Sequence, residues 1–212
     1  MTTQTYADRQ SEGMAFSPRE RVLQAAEACF MARGYAAVTL RDIAAEVGIK
    51  HASLYHHVPG GKEELFVEVV ERSLVRHRAG IEERLRHVPQ RIRDQLHAIS
   101  DWFLSQSPMD LVRMTQSDMP ALSPETARSL AQLTHQSILV PVEQILGAAY
   151  ERGELKNPDA GLLAGGIVGL VQSLFSVPEH AVRMSRHEMG RHLIDALLDG
   201  IGADPGAGPS ES

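Results

Sequence analysis

The sequence predicts an all-α protein, on three observations. A capping residue followed by proline, a pair that opens helices, recurs at Ser17-Pro18, Ser107-Pro108, Ser123-Pro124 and Asn157-Pro158. Apolar residues return at helical spacing, as at Leu40, Ile43, Ala44 and Val47. No segment sustains the apolar-polar alternation with β-branched residues that marks a half-buried strand.

The elements follow in order. Ser17-Pro18-Arg19-Glu20 opens the first helix as a capping box; Val22, Ala25, Ala26, Cys29 and Phe30 share one face, and Gly34 ends it. Thr39-Leu40-Arg41-Asp42 caps a second, short helix that Gly48 stops. Residues 49–58 are predicted as a third short helix with Leu54 and Val58 inward and Lys50, His51, Ser53 and His57 outward, terminated by Pro59-Gly60-Gly61. A long helix runs from Lys62 through Leu65, Phe66, Val69, Val70, Ser73 and Leu74 towards Pro89, becoming rich in Arg and His. Residues 92–106, 108–117 and 124–152 read as further helices, the last as one long amphipathic rod. Residues 159–177 are almost wholly apolar or small, and 188–201 carry Leu193, Ile194, Leu197 and Leu198 along one face. Residues 1–16 and 203–212 are expected to be frayed tails, flanking a small three-helix head over 17–61 and a helical domain over 62–202.

With 212 residues, 43% of them hydrophobic, the chain can bury a real core. It has no uncharged apolar run long enough to cross a bilayer, and residues 1–16 hold no stretch suited to a signal peptide, so a cytoplasmic protein with no membrane partner is expected. The single cysteine, Cys29, lies among Ala26, Ala28 and Phe30 and reads as a small buried hydrophobe. A net charge of −6 argues against nucleic-acid binding by the chain as a whole, because affinity for DNA comes largely from cations displacing counterions at phosphates. The charge is unevenly placed. Residues 1–62 hold seven Lys and Arg against six Asp and Glu, whereas the remainder holds fourteen against twenty-one. Catalytic signatures are missing: there is no HExxH, no Gly-rich phosphate loop and no Cys/His pair at ligand spacing. His180, His187 and His192 are separated by seven and five residues, which does not align them on one helix face. Neither enzyme activity, nor a metal, nor a cofactor is expected.

Two short helices joined at Gly48 match the helix-turn-helix, whose second helix enters the major groove. The segments Val38-Thr39-Leu40-Arg41-Asp42-Ile43-Ala44, Val47-Gly48-Ile49, Ser53-Leu54-Tyr55-His56-His57-Val58 and Gly61-Lys62-Glu63-Glu64-Leu65 together resemble the N-terminal signature of the TetR family of transcriptional regulators. The resemblance covers residues 17–70. It departs from the family pattern at the extra glycine of Pro59-Gly60-Gly61-Lys62 and at Val58, where phenylalanine is common. It implies a dimeric regulator, a repressor, that binds a palindromic DNA operator and is released by a small-molecule effector.

Residue chemistry is consistent with that implication. Thr39, beside exposed helix amides, can offer a hydroxyl and backbone N–H groups to a phosphate, and Arg41 one turn on can reach guanine O6 and N7. Lys50, His51 and Ser53 head the presumed recognition helix as base-edge candidates, and Ala52 is small enough to admit a thymine methyl. Tyr55 and His57 match family positions that bind the phosphate backbone, and Lys62 is expected to contact a phosphate across the groove. His56 has no assigned role.

A helix-turn-helix monomer contacts few base pairs, so two copies must hold half-sites about 34 Å apart. Gly161, Gly165 and Gly169 at i, i+4 and i+8 leave a smooth groove which, with Leu193 and Leu197, is expected to form a four-helix homodimer interface. Trp102, Phe103, Met109, Met114, Met119 and Phe175 are the candidates for lining an effector pocket, with His135 orienting a polar group, and they suit a mostly apolar ligand. The competing reading is a helical protein-interaction module without DNA binding, whose partners would ignore Arg41 and Tyr55.

Overall fold

The computed structural model describes residues 17–106, 111–156, 159–178 and 183–201. The expected tails, the caps Ser107-Pro108 and Asn157-Pro158, and Met109 and His180 lie outside the described residues. Among the described residues only helices form, with no strand, and the chain divides into two compact units between Val69 and Val70.

The first unit contains α1 (Pro18–Ala37), α2 (Leu40–Val47), α3 (His51–Leu54) and the start of α4 (Gly61–Arg86). Ser17 Oγ accepts from Glu20 N–H at 3.1 Å, the cap expected for α1. Gly34 breaks α1 as expected, with φ +79°, but the chain makes one further turn to Ala37. That turn lays the Tyr35 ring against Phe66, centroids 4.9 Å apart, while Phe30 meets Phe66 edge-on at 5.1 Å. With Val22, Ala26, Val38, Ile43, Leu54, Leu65 and Val69 these rings close one core. Cys29 is buried and free.

Regular α3 is four residues long, whereas residues 49–58 were expected to be helical throughout. Beyond Leu54 the bonding becomes mixed, with His56 N–H to Ser53 O at 3.3 Å and His57 N–H to Leu54 O at 2.9 Å over three residues and Val58 N–H to the same Leu54 O at 3.0 Å over four. Pro59 then disfavours a helical Val58 and ends the segment. The inward residues are as expected, Leu54 fully buried and Val58 at 4% exposure.

The second unit contains the rest of α4, α5 (Ile92–Ser105), α6 (Leu111–Arg113), α7 (Pro124–Thr134), α8 (Val140–Glu151), α9 (Ala160–Ser173) and α10 (Arg186–Ile201). Its core takes Val70, Leu74 and Ile81 from α4, Leu96, Ile99 and Phe103 from α5, Leu146 and Ala149 from α8, Ile167 and Val171 from α9, and Ile194 and Leu198 from α10. The rod expected over 124–152 is two helices joined by a wide π turn at His135–Leu139. A second π turn, Met114–Asp118, follows α6. Each lies just ahead of a proline, Pro141 or Pro120, which lacks the N–H its helix needs and crowds the preceding turn. Helix α10 begins two residues earlier than expected. Ser185 caps it as a box: Ser185 N–H donates to Glu188 Oε2 at 2.7 Å, and Glu188 N–H donates to Ser185 Oγ at 3.3 Å. Ion pairs tie α10 to α5: Arg191 meets Asp101 at 2.6 Å, and Arg93 reaches both Asp195 and Asp199. Burial disfavours the Asp195 charge, but Arg93 and His97 overcome it and hold the carboxyl below its ordinary value.

Candidate nucleic-acid interface

The geometry of the helix-turn-helix begins at Thr39, the extended N-cap of α2. Thr39 N–H donates to Asp42 Oδ2 at 2.7 Å and Asp42 N–H donates to Thr39 Oγ1 at 3.2 Å, closing the box that the sequence predicts. The Thr39 hydroxyl also donates to the same carboxylate, at 2.8 Å. The Thr39 backbone N–H and hydroxyl bonds hold Asp42 below its ordinary carboxylate value, with Arg33 adding a smaller pull. Arg41 stands exposed in the first turn of α2.

Gly48 makes the turn. Its φ of +74° and ψ of +30° are left-handed, and a Cβ placed there would meet nothing within 4 Å, so the requirement for glycine is conformational, not steric. Gly48 N–H donates to Ala45 O at 3.1 Å and Ile49 N–H to Ala44 O at 2.9 Å, which satisfies the last carbonyls of α2 and redirects the chain into α3.

Helix α3 is anchored by Leu54 and Val58 and turns its other side outward. Lys50, Ala52, Tyr55 and His56 are exposed, while His51, Ser53 and His57 are half-buried. Tyr55, at 48% exposure, is one of the few large hydrophobic residues on the surface. The His51 ring meets it edge-on at 5.2 Å, which limits where the phenol can point. Thr39, Arg41, Lys50, His51, Ala52, Ser53, Tyr55 and His57 thus lie on the two short helices, their caps and the turn after α3; the Thr39 N–H and hydroxyl proton are committed to Asp42, against the expectation that they meet a phosphate, while the other side chains offer hydroxyl, guanidinium, ammonium and imidazole groups.

Lys62 is placed differently from what the sequence suggested. Its ammonium donates to Tyr35 O at 2.9 Å and Val38 O at 3.0 Å and lies 4.1 Å from the centre of the Tyr35 ring. Burial, aided by Glu63, raises the Tyr35 phenol above its ordinary value, so that ring stays neutral beneath the cation. Sequence reasoning gave no sign of this arrangement, since two of the partners are backbone carbonyls.

In the second unit, Gly161, Gly165 and Gly169 are exposed on α9, as are Leu162 and Leu170. A Cβ at Gly165 or Gly169 would meet nothing within 4 Å, and one at Gly161 would make only ordinary contacts at 3.8 Å. Leu193 and Leu197 are half-buried on α10. Among the effector candidates, Phe103, Met114 and Met119 are buried, Trp102 and Phe175 are half-buried, and His135 is exposed with its Nε2 3.2 Å from Glu143. None of these lines the open groove of about 540 Å³ bounded by Arg91, Ile92, Arg93, Asp94, Glu154 and Leu198.

One polar feature went unnoticed in the sequence. His77 on α4 is 2% exposed, sits between Trp102 and Phe103 at centroid distances of 6.3 and 5.5 Å, and has no partner for Nδ1 among the described residues. Trp102 Nε1 is likewise buried, with no partner among the described residues. Burial, with a smaller contribution from Arg76, pushes the imidazole down to about 4. The signal was available: Val70, Leu74, His77 and Ile81 recur at helical spacing on one face of α4.

Residues 22–69 match the model of the bacterial regulatory proteins of the tetR family. Over 83 residues the chain is 36% identical to the HTH-type transcriptional regulator LmrA of Bacillus subtilis (strain 168), a match that spans 39% of this chain and 38% of that protein. The chain therefore covers under two thirds of that curated relative's length. Among solved structures, AibR in complex with isovaleryl coenzyme A and operator DNA superposes with a TM-score of 0.72 at 17% identity, covering 86% of this chain and 98% of that one. The ketosteroid transcriptional regulator KstR2 of Mycobacterium tuberculosis superposes with a TM-score of 0.71 at 22% identity, covering 91% and 98%. These two likenesses establish a shared fold. The helix-turn-helix that the geometry above defines, over residues 22–69, is that of the tetR family of bacterial regulatory proteins.

Proposed function

We propose that this protein is a transcriptional repressor that binds a palindromic operator as a homodimer and releases it when a small, mostly apolar effector binds. The observation that carries the reading is the division of α3. Leu54 and Val58 are buried while Lys50, Ala52, Tyr55 and His56 stand outward, which is the distribution a recognition helix needs if one side packs and the other reads a groove. In this reading Lys50, His51, Ala52 and Ser53 meet base edges, Arg41 reaches a guanine, Tyr55 and His57 hold phosphates, and Thr39, whose N–H and hydroxyl bond Asp42, fixes the first turn of α2 beside them.

The dimer is supported by the exposed glycines of α9 beside Leu162 at 68% exposure, an apolar surface with room for a second backbone. Effector binding is supported by the buried Trp102 Nε1 and His77 Nδ1, which have no partner among the described residues, an arrangement that a bound molecule carrying a polar group would satisfy. Operator binding by AibR and the ligand in its complex make acyl thioesters, with steroids after KstR2, a reasonable first panel of effectors.

Selection of bound duplexes from a random pool tests the reading. A palindrome with half-site centres about 34 Å apart is expected. Enrichment of no sequence, with binding to other proteins unaffected by Arg41→Ala and Tyr55→Ala, would instead favour an interaction module.

A further inference from the structure

We propose that Lys62 is a positioning residue of the helix-turn-helix, tying the entry of α2 to the start of α4, and that it makes no phosphate contact of its own. The inference rests on the DNA-binding reading above only for its effect on affinity; the tie itself is a property of the free protein.

Three observations place Lys62 in this role. First, it engages two carbonyls on the stretch between the Gly34 break and the α2 cap, Tyr35 O and Val38 O, with hydrogen bonds of 2.9 and 3.0 Å. Gly34 has taken that stretch out of the regular helix, so its carbonyls need other donors. Val38 is fully buried and directly precedes Thr39, whose cap on Asp42 fixes the amides of the first turn of α2. Second, Lys62 leaves from the residue after Gly61, whose φ of +79° turns the chain out of the α3 segment and whose N–H donates to Val58 O at 3.2 Å. One side chain therefore links the segment that enters α2 to the segment that leaves α3, bracketing the whole motif. Third, the ammonium lies over the Tyr35 ring, which is itself wedged against Phe66 one turn along α4 from Lys62. To reach a phosphate the side chain would have to abandon two charge-assisted hydrogen bonds and a ring contact together.

The tie matters for recognition because Thr39 and Arg41 are carried on the α2 entry and Lys50 to His57 on the α3 segment. If the two drift apart by about 1 Å, contacts to a rigid duplex cannot all form at once.

The test uses the full-length Lys62→Met protein, which keeps the length of the side chain and removes its charge and donors, with Lys62→Gln as the substitute if the first is not folded by circular dichroism. In the free protein, amide exchange at Asp42, whose N–H is bonded to Thr39 Oγ1, is expected to quicken roughly tenfold. Unchanged exchange at Asp42 overturns the proposal without reference to DNA. With the duplex that the wild-type protein selects from a random pool, affinity is expected to fall roughly tenfold while the slope of log K against log salt stays the same, because no phosphate contact is lost. In the Thr39→Ala background the additional loss is expected to shrink to less than about twofold, since the two residues act through one arrangement. A slope reduced by about 0.9 per subunit identifies Lys62 as a phosphate contact and overturns the proposal, as does a loss that is undiminished in the Thr39→Ala background. A folded variant with wild-type affinity shows a merely structural lysine and overturns it too. Failure of the wild-type protein to select any duplex strikes the DNA-binding reading and leaves the exchange measurement to decide the tie.

Discussion

Replacing Gly48 by alanine isolates the backbone cost of the turn between α2 and α3. The residue holds φ +74° and ψ +30°, a conformation that costs an L-residue roughly 1–2 kcal/mol. A Cβ there meets nothing within 4 Å, so no clash is added, and both turn hydrogen bonds use backbone atoms that alanine retains. Alanine also restricts the unfolded chain, which returns roughly 0.4–1 kcal/mol. The net expectation is destabilisation by about 1 kcal/mol, with Gly48→Asn less costly because asparagine tolerates the left-handed region, and Gly48→Val more so. Urea denaturation followed by far-UV circular dichroism measures this, and the denaturant slope should not change. A Gly48→Ala protein as stable as the parent would refute the left-handed turn. A cost above about 3 kcal/mol would show that the Cβ meets packing absent from this geometry.

Burial of neutral His77 makes stability depend on pH. Its folded value of about 4 lies below the 6.5 of a free imidazole, so in that window the unfolded chain binds the proton and the fold does not; stability is full above 6.5 and falls as pH drops towards 4, by about 3 kcal/mol in all. His77→Phe should flatten that part of the profile in denaturation experiments run across the window. Arg41→Ala should leave thermal stability within about 0.5 kcal/mol while costing about 2 kcal/mol of affinity for the selected duplex, read by fluorescence anisotropy. Gly165→Leu should keep the helical spectrum, because among the described residues nothing lies within 4 Å of a Cβ there, and should convert the proposed dimer to monomer in sedimentation velocity; a dimer that survives it does not use this face of α9.

Much of the fold was legible because it is written in local chemistry. Thr39 and Asp42 announce their box by identity and spacing, Ser17 and Ser123 cap the helices they precede, and Gly48 sits where a left-handed residue is required. What was not legible depends on tertiary or backbone partners. Helix α3 is shorter than its pattern because Pro59 and three-residue bonding compete with α-helical spacing, and the apolar pattern cannot register that competition. The π turn at His135–Leu139 is invisible to amphipathicity, which runs on through it, although Pro141 was its marker. Lys62 carried a charge and a family expectation, and both pointed outward; only the positions of Tyr35 O and Val38 O turn it inward. His77 was passed over as one of several charged and polar residues on α4, although its register with Leu74 and Ile81 placed it on the buried face. The outward residues of the α3 segment were nameable because helix polarity and cap spacing fix which side of it is free, whereas Trp102 and Met114, named as pocket candidates, offer the sequence no feature separating a lining from a core.

Peptide-resolved hydrogen exchange of the full-length protein, with and without the duplex it selects, tests most directly whether the α3 segment enters DNA. Slowed exchange over 39–42 and 50–57, with other surfaces unchanged, is the expected result. Slowing confined to α9 and α10, or none at all over 50–57 while the duplex is bound, would contradict it.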